Sequence, residues 1–165
     1  MYKVMVFGSG SLPDITQDIA NAIVSLNSQG DCQFLIGDGK MLDQKINLFM
    51  SRAGLTDKTL VIGIDRIRNN NYGHPECVLH AEYDSEAESV SVVDNNGNVV
   101  HVEYGVEDMK KFTESDKWGT MALRATADMC DIAVCLWDGK TKVQSKMIDY
   151  LRIRNKPCYL YTVDI

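Results

Sequence analysis

Short apolar runs rich in β-forming residues alternate along this chain with stretches whose apolar residues recur every three or four positions. That alternation restricts the chain to a mostly parallel sheet held between two layers of helices. The runs fall at residues 3–7, 33–36, 60–64, 132–137 and 158–162. Most are apolar at odd and even positions alike, as strands covered on both faces must be. Between the first two, Ile15, Ile19, Ile23 and Leu26 lie 4, 4 and 3 apart and predict an amphipathic helix over 14–28. Pro13 suits its first turn and Gly30 its exit. Leu42, Ile46, Phe49, Met50 and Ala53 predict a second helix over 42–53, ended by Gly54. A third is expected over about 116–129, burying Trp118, Met121, Leu123 and Ala125. A fourth is expected over about 143–154, burying Met147, Ile148 and Leu151, with Asn155 and Pro157 closing it.

The middle of the chain breaks the rhythm. Residues 89–94 and 98–104 alternate with period two around Asn95-Asn96-Gly97, which predicts a β-hairpin with a type I′ turn at Asn96-Gly97. The expected architecture is α/β, one domain over 1–165. It is a three-layer sandwich with a sheet of about five strands, carrying a β-hairpin inserted at about 76–104. The segment before it, RIRNNNYGHP at 66–75, reads as a polar loop.

Charge and cysteine content narrow the function classes. With 23 acidic against 17 basic residues the net charge is −6, which opposes binding to duplex nucleic acid. The five cysteines are odd in number, irregularly spaced and without a Cys-x-x-Cys pair, so reduced thiols and a cytoplasmic location are expected. No apolar run approaches the ~20 residues of a membrane span, so no membrane partner is expected. Met1 leads straight into Val4-Met5-Val6-Phe7, which reads as a first strand and not a signal peptide. His74, Cys77 and His80 are spaced by three, but no fourth ligand is near them, so neither a metal nor a cofactor is expected. Neither a Gly-x-Ser-x-Gly elbow nor a P-loop occurs, which argues against a serine hydrolase and a P-loop ATPase.

In open α/β sheets ligands bind at the carboxyl ends of the parallel strands. Three strand ends carry suitable chemistry. The first runs into Gly8-Ser9-Gly10-Ser11, a turn able to bring backbone N–H groups to an anion. The second runs into Gly37-Asp38-Gly39-Lys40, with Asp43 in the next helical turn. Either carboxylate can accept from ribose hydroxyls or serve as nucleophile or base at a glycosidic carbon, and either can instead only cap a helix. The third runs into Trp137-Asp138-Gly139-Lys140-Thr141. Its indole can stack on a base or fill the core, Asp138 can bind a hydroxyl, and the lysine can meet a phosphate or water.

The segments GSGSLPDI, IGDGKMLDQKI and CLWDGKTKVQSKMIDYLRIRNKPCYLY together resemble small Rossmann-like proteins of the SLOG superfamily. That superfamily includes the lysine-decarboxylase-like phosphoribohydrolases and DprA-type domains, and it is related to nucleoside deoxyribosyltransferases. The resemblance covers 3–53 and 116–162. Gly8, Ser9 and Ser11 match its first loop, with Gly10 where Arg is usual. Gly37, Asp38 and Asp43 match the second. Trp137, Asp138, Gly139 and Lys140 match the third, with Val143-Gln144 where Gly-Thr is usual. It implies a pocket for a nucleotide or nucleoside-derived small molecule, lined by these residues with Gly39 and Thr141, in a homo-oligomer. The altered first and third loops favour binding over catalysis. The alternatives are an enzyme acting at an N-glycosidic bond through Asp38, Asp43 and Asp138, and an interaction protein that presents the hairpin beside a non-functional pocket.

Overall fold

The structure, a computed structural model, describes residues 1–113 and 117–163, the side chains of 113, 117 and 118 excepted. The expected burial of Trp118 therefore lies outside the described residues. The first apolar run forms β1 (Tyr2–Gly8) and is followed by α1 (Gln17–Gln29), β2 (Cys32–Gly37), α2 (Leu42–Arg52) and β3 (Thr59–Ile64). Next come β4 (Glu76–Asp84), β5 (Ser89–Val93), β6 (Val99–Tyr104) and the short α3 (Met109–Thr113). The chain closes with α4 (Lys117–Met129), β7 (Ile132–Trp137), α5 (Lys142–Ile153) and β8 (Cys158–Thr162).

All the strands join one eight-stranded sheet, in the order β6-β5-β4-β3-β2-β1-β7-β8. The period-two alternation within each central strand sorts its side chains between two cores. Val4, Val6, Phe34, Ile36, Val134 and Leu136 pack with Ile19 and Ile23 of α1 and Ile46 and Met50 of α2. Met5, Phe7, Leu35, Ala133 and Cys135 pack on the opposite face with Met121 and Ala125 of α4 and Met147 and Leu151 of α5. This is a Rossmann-like three-layer sandwich. Each fully buried side chain of Phe34, Leu35 or Ile36 size contributes about 1.5–3 kcal/mol.

The sheet is larger than the five strands expected from the sequence. Six strands run parallel, because β4 pairs parallel with β3 through Val61↔Glu76 to Ile64↔Leu79. β5 and β6 then add antiparallel. No helix joins β3 to β4. The polar segment 65–75 makes the crossover itself, and side chains satisfy its backbone where a helix would have satisfied its own. Asp38 accepts from the N–H groups of Arg68 and Asn69, the latter at 2.9 Å, and Asn69 Nδ2 donates back to the Asp38 carbonyl at 2.7 Å. Asn70 Nδ2 donates to the His74 carbonyl, and His74 Nε2 lies 3.1 Å from the Asn47 carbonyl on α2.

Two local expectations change. α1 starts at Gln17, with Thr16 as its N-cap, so Pro13 lies in the turn before the helix and not in its first turn. The hairpin does reverse at Asn95-Asn96-Gly97, but Gly97 alone of these has positive φ, at +81°. Gly97 N–H donates to the Asp94 carbonyl and Asp94 N–H to that of Asn98. The Asp94 carboxylate also accepts from Asn96 and Asn98 N–H, both at 2.9 Å. This is the three-residue loop with a left-handed glycine, which needs one positive φ where type I′ needs two.

The hairpin is fastened to the helices by a buried charged network. His101 of β6, its side chain 3% exposed, holds Asp128 of α4 at 2.6 Å through Nδ1 and Glu103 at 2.9 Å through Nε2. Arg124 of α4 donates to Glu103 at 2.7 Å and Tyr150 of α5 to Asp128 at 2.7 Å, while Arg154 lies over the Tyr150 ring. With a carboxylate at each ring nitrogen, only the protonated imidazole donates to both. Burial alone would lower the His101 pKa, but its bonds to Glu103 and Asp128 outweigh that and raise it above 6.5. Glu103 moves the other way, lowered by its bond to His101 and by Arg124 against the pull of burial.

These directions fix a pH window. The His101 contribution is complete below its ordinary value and is lost as pH rises through the raised native value. The Glu103 contribution is present above its ordinary value and is lost in acid. Thermal melts from pH 5 to 9 should show stability falling above about pH 6.5. His101→Gln should flatten that fall and lower Tm at pH 6 by about 5–15 °C, because two carboxylates lose a buried cation.

Candidate functional site

β1 is the strand from which the chain departs in opposite directions, through β2 on one side and β7 on the other. Because all three run parallel, the loops at Gly8-Ser9, Gly37-Asp38 and Asp138-Gly139 open on the same sheet edge. A cavity of about 550 Å³ lies there. Its floor is apolar and comes from the strands, with Met5, Phe7, Leu35, Ile62 and Ile64; α4 closes one side through Leu123 and Thr126. The first turns of α2 and α5 supply Asp43, Val143 and Gln144, and Lys40 and Arg68 stand exposed at the mouth.

The sequence-predicted residues divide into two groups. Gly8, Gly10, Gly37, Asp38, Gly39, Lys40 and Asp43 line the cavity. The structure does not bring Ser9, Ser11, Trp137, Asp138, Gly139, Lys140 and Thr141 onto its wall. They form a turn beside it whose polar groups serve one another. Ser9 is fully buried, and its Oγ accepts from Asp138 N–H at 3.1 Å. Asp138 Oδ1 accepts from the N–H groups of Lys140 and Thr141 at 2.9 and 2.7 Å. Its Oδ2 accepts from the hydroxyls of Thr141 and, at 3.3 Å, Ser11. The bonds from Thr141, then Lys140, hold this carboxyl far below the usual range. Trp137 Nε1 donates to the Thr141 carbonyl at 3.0 Å, so the indole edge is engaged in the same turn. Gly139 supplies the positive φ, +77°, that the turn requires.

The glycines at the other two strand ends have packing roles. A Cβ on Gly8 would collide with the backbone carbonyl of Leu136 on β7 and stand 2.6 Å from Leu42 Cδ2, so Gly8 lets β7 and α2 close on the end of β1. A Cβ on Gly37 or Gly39 would stand 2.7 or 2.6 Å from Asp43 Oδ2. These two glycines therefore make room for the Asp43 carboxyl, which accepts from Gly39 N–H at 2.9 Å. Burial pushes the Asp43 pKa up to about 6 against that bond, with the Asp38 charge adding to the rise. A carboxyl poised there gives or takes a proton near neutrality.

Sequence reasoning missed Arg68 and Thr126, and it noted Gln144 only as a departure from the usual Gly-Thr. Gln144, Met147 and Leu151 are the buried residues of α5, at helical spacing. A polar residue in an otherwise apolar stripe is the signal that marks Gln144. Its Nε2 donates to the Gly8 carbonyl at 3.0 Å, joining α5 to the end of β1. Among the described residues its Oε1 has no hydrogen-bond partner.

Among the described residues no group of His, Cys, Asp or Glu could hold a metal ion, and no helix is long and apolar enough to cross a membrane. His74 is buried against α2, whereas His80 is exposed near Asp65. The cysteines are unpaired, all buried but the half-buried Cys158. Comparison with protein-family models, curated proteins and solved structures gives no significant match to the chain.

The loop bonds of Asp38 predict a positioning role for its carboxylate. Asn at this position keeps one acceptor oxygen and turns an NH₂ toward the other N–H. Asp38→Asn should cost about 1–3 kcal/mol, the loss of a bond to a charged group, and lower Tm by roughly 2–10 °C. Trypsin should cut the variant faster after Arg66 and Arg68 than the wild type. Equal melting and equal cleavage would show that Asp38 does not hold the crossover.

Proposed function

We propose that the cavity binds a nucleotide-derived small molecule, as the likeness of the first two loops to the SLOG superfamily suggests. The single observation that carries this reading is the position of the cavity. It lies at the carboxyl ends of β1 and β2, beside the point where the strand order reverses, which is where α/β sheets receive such ligands. An apolar floor suits a heterocyclic ring, and the polar groups gathered at the mouth suit a sugar.

A second reading is favoured by Asp43. A carboxyl with a pKa of about 6 in a cavity wall supports acid–base work at an N-glycosidic bond. The direction of the pH profile distinguishes its role. A general acid loses activity as pH rises through about 6, whereas a base or nucleophile gains it.

The test uses Gly10, which is exposed at the cavity wall and whose added Cβ would meet nothing within 4 Å. Gly10→Phe should fill the mouth and leave Tm within about 2 °C of the wild type, as exposed substitutions do. Mass spectrometry of the supernatant after denaturation should find a nucleoside-derived compound with the wild type and not with the variant. Free base accumulating from added nucleosides or nucleotides, only with the wild type, supports the enzyme. Equal occupancy in both proteins would remove this cavity as the site.

A further inference from the structure

From the backbone groups that β8 leaves unpaired, we infer that two copies of this chain join antiparallel through β8, about a two-fold axis at Leu160, so that one sheet runs through both molecules.

β8 is the last strand on its side of the sheet, and among the described residues nothing pairs with its outer side. Its bonds to β7 fix which backbone groups are left over. A residue in a parallel strand turns its N–H and its C=O to the same side. The Pro157 carbonyl accepts from Ala133 N–H, and Val163 N–H donates to the Trp137 carbonyl, both at 2.9 Å. Tyr159 and Tyr161 share that parity and face β7, so Cys158, Leu160 and Thr162 turn both backbone groups outward. Outer strands of natural sheets are protected from pairing by charge, proline or a bulge. β6, the other outer strand, carries the ionised Glu103 and meets a register shift at Val92/Val93 of β5. Between Cys158 and Thr162 there is neither a charge nor a proline, and the register with β7 is unbroken.

The outward groups are symmetric about Leu160, and a second copy of the same strand is their complement. In an antiparallel pair centred there, Leu160 opposes Leu160 of the second copy and Cys158 opposes its Thr162. That register alone gives every outward N–H and C=O of both strands a partner, and the two-fold axis closes the contact at two copies. The side chains agree with it. Cys158 packs on the α4 and α5 side of the sheet and Tyr161 on the α1 and α2 side. Leu160, 43% exposed, therefore meets its own copy on the first side, and Tyr159, 50% exposed, meets Tyr161 of the second copy on the other. Such directly opposed aromatic pairs stabilise a sheet.

Charge and space favour the same occupant. A chain of net charge −6 repels its own copy, so a seam between copies has to be free of unbalanced charge. β8 has none, and the three bases flanking it are each held within the chain. Arg152 lies 3.7 Å from Asp149, Arg154 lies 3.6 Å from Asp128, and Lys156 Nζ donates to the Cys130 carbonyl at 2.6 Å. α5 packs on β7 and β8 together. Across the axis the two α5 helices stand two strand spacings apart, about 9–10 Å, the distance at which helices pack.

The experiment is sedimentation velocity of the purified chain across micromolar concentrations. The expected result is a species of twice the chain mass. Leu160→Lys puts two like charges on the axis and should raise the dissociation constant tenfold or more. Tyr104→Lys on β6, at a residue 78% exposed, should leave it unchanged. Leu160→Cys reads the register without disturbing it. Opposed Cα atoms in a hydrogen-bonded antiparallel pair are about 5.5 Å apart, within reach of a disulfide. Mild oxidation should therefore link this variant into covalent pairs and leave the wild type unlinked, because its Cys158 faces Thr162. A wild type of single-chain mass throughout, an association that survives Leu160→Lys, or a Leu160→Cys variant that does not cross-link overturns the inference. Dissociation by Tyr104→Lys and not by Leu160→Lys moves the seam to the hairpin and overturns it as well.

Discussion

β1 is buried on both faces, and its odd and even residues belong to different cores. Such a strand admits no slip. A shift of one residue would carry Met5 and Phe7 into the layer of α1 and α2 and bring Val4 and Val6 against α4 and α5. The register with both neighbours is therefore fixed, at Val6↔Ile36 on one side and Gly8↔Leu136 on the other. That brings the ends of β1, β2 and β7 to one edge. The helices that follow β1 and β7 then cover opposite faces of the sheet, and the cleft between them is a consequence of chain direction. Gly8 has no side chain to meet the Leu136 carbonyl or Leu42, which lets β7 and α2 both approach the end of β1.

Around that edge the chain solves a recurrent problem in one way. Turns at strand ends expose backbone N–H groups that neither sheet nor helix satisfies. Asp38, Asp43 and Asp138 each accept from such groups at that edge, and Asp94 does the same in the hairpin turn at the opposite edge. At Asp94 and Asp138 the local donors hold the carboxyl below its ordinary range, whereas at Asp43 burial outweighs its one bond.

The parallel core was legible because burial on both faces writes continuous apolar runs, and α2, α4 and α5 because their stripes repeat at helical spacing. β4 was less so. It follows β3 without a helix, and its pattern is broken by exposed positions at Glu76, His80 and Glu82. The crossover at 65–75 depends on Asp38, Asn69 and Asn70 meeting backbone groups, and a polar composition alone does not say which side chain reaches which N–H. Pro13 and the Asn-Gly pair each fit two local geometries, and the choice between them lies in the contacts of Thr16 and Asp94. Half of the expected site residues reached the cavity. The third loop did not, because Asp138 has nearer donors in Ser11, Lys140 and Thr141 than any ligand could offer. A carboxylate that serves its own turn and one that serves a ligand look alike in a sequence.

α4 is the element shared by the two most polar regions of the molecule. Leu123 and Thr126 face the cavity, while Arg124 and Asp128 hold Glu103 and His101 of β6. The helix is thereby positioned from both sides, by apolar packing on the sheet and by ion pairs to the hairpin. Apolar packing is non-directional and leaves a helix some freedom to slide or rotate. The imidazole, bonded at both nitrogens to carboxylates on different elements, fixes the angle that packing leaves loose. Without the hairpin, α4 would still be amphipathic and would still cover Met5 and Leu35, but of its polar ties only those of Asp128 to Tyr150 and Arg154 would remain to set its rotation. The inserted strands thus help to shape a cavity whose wall they do not line.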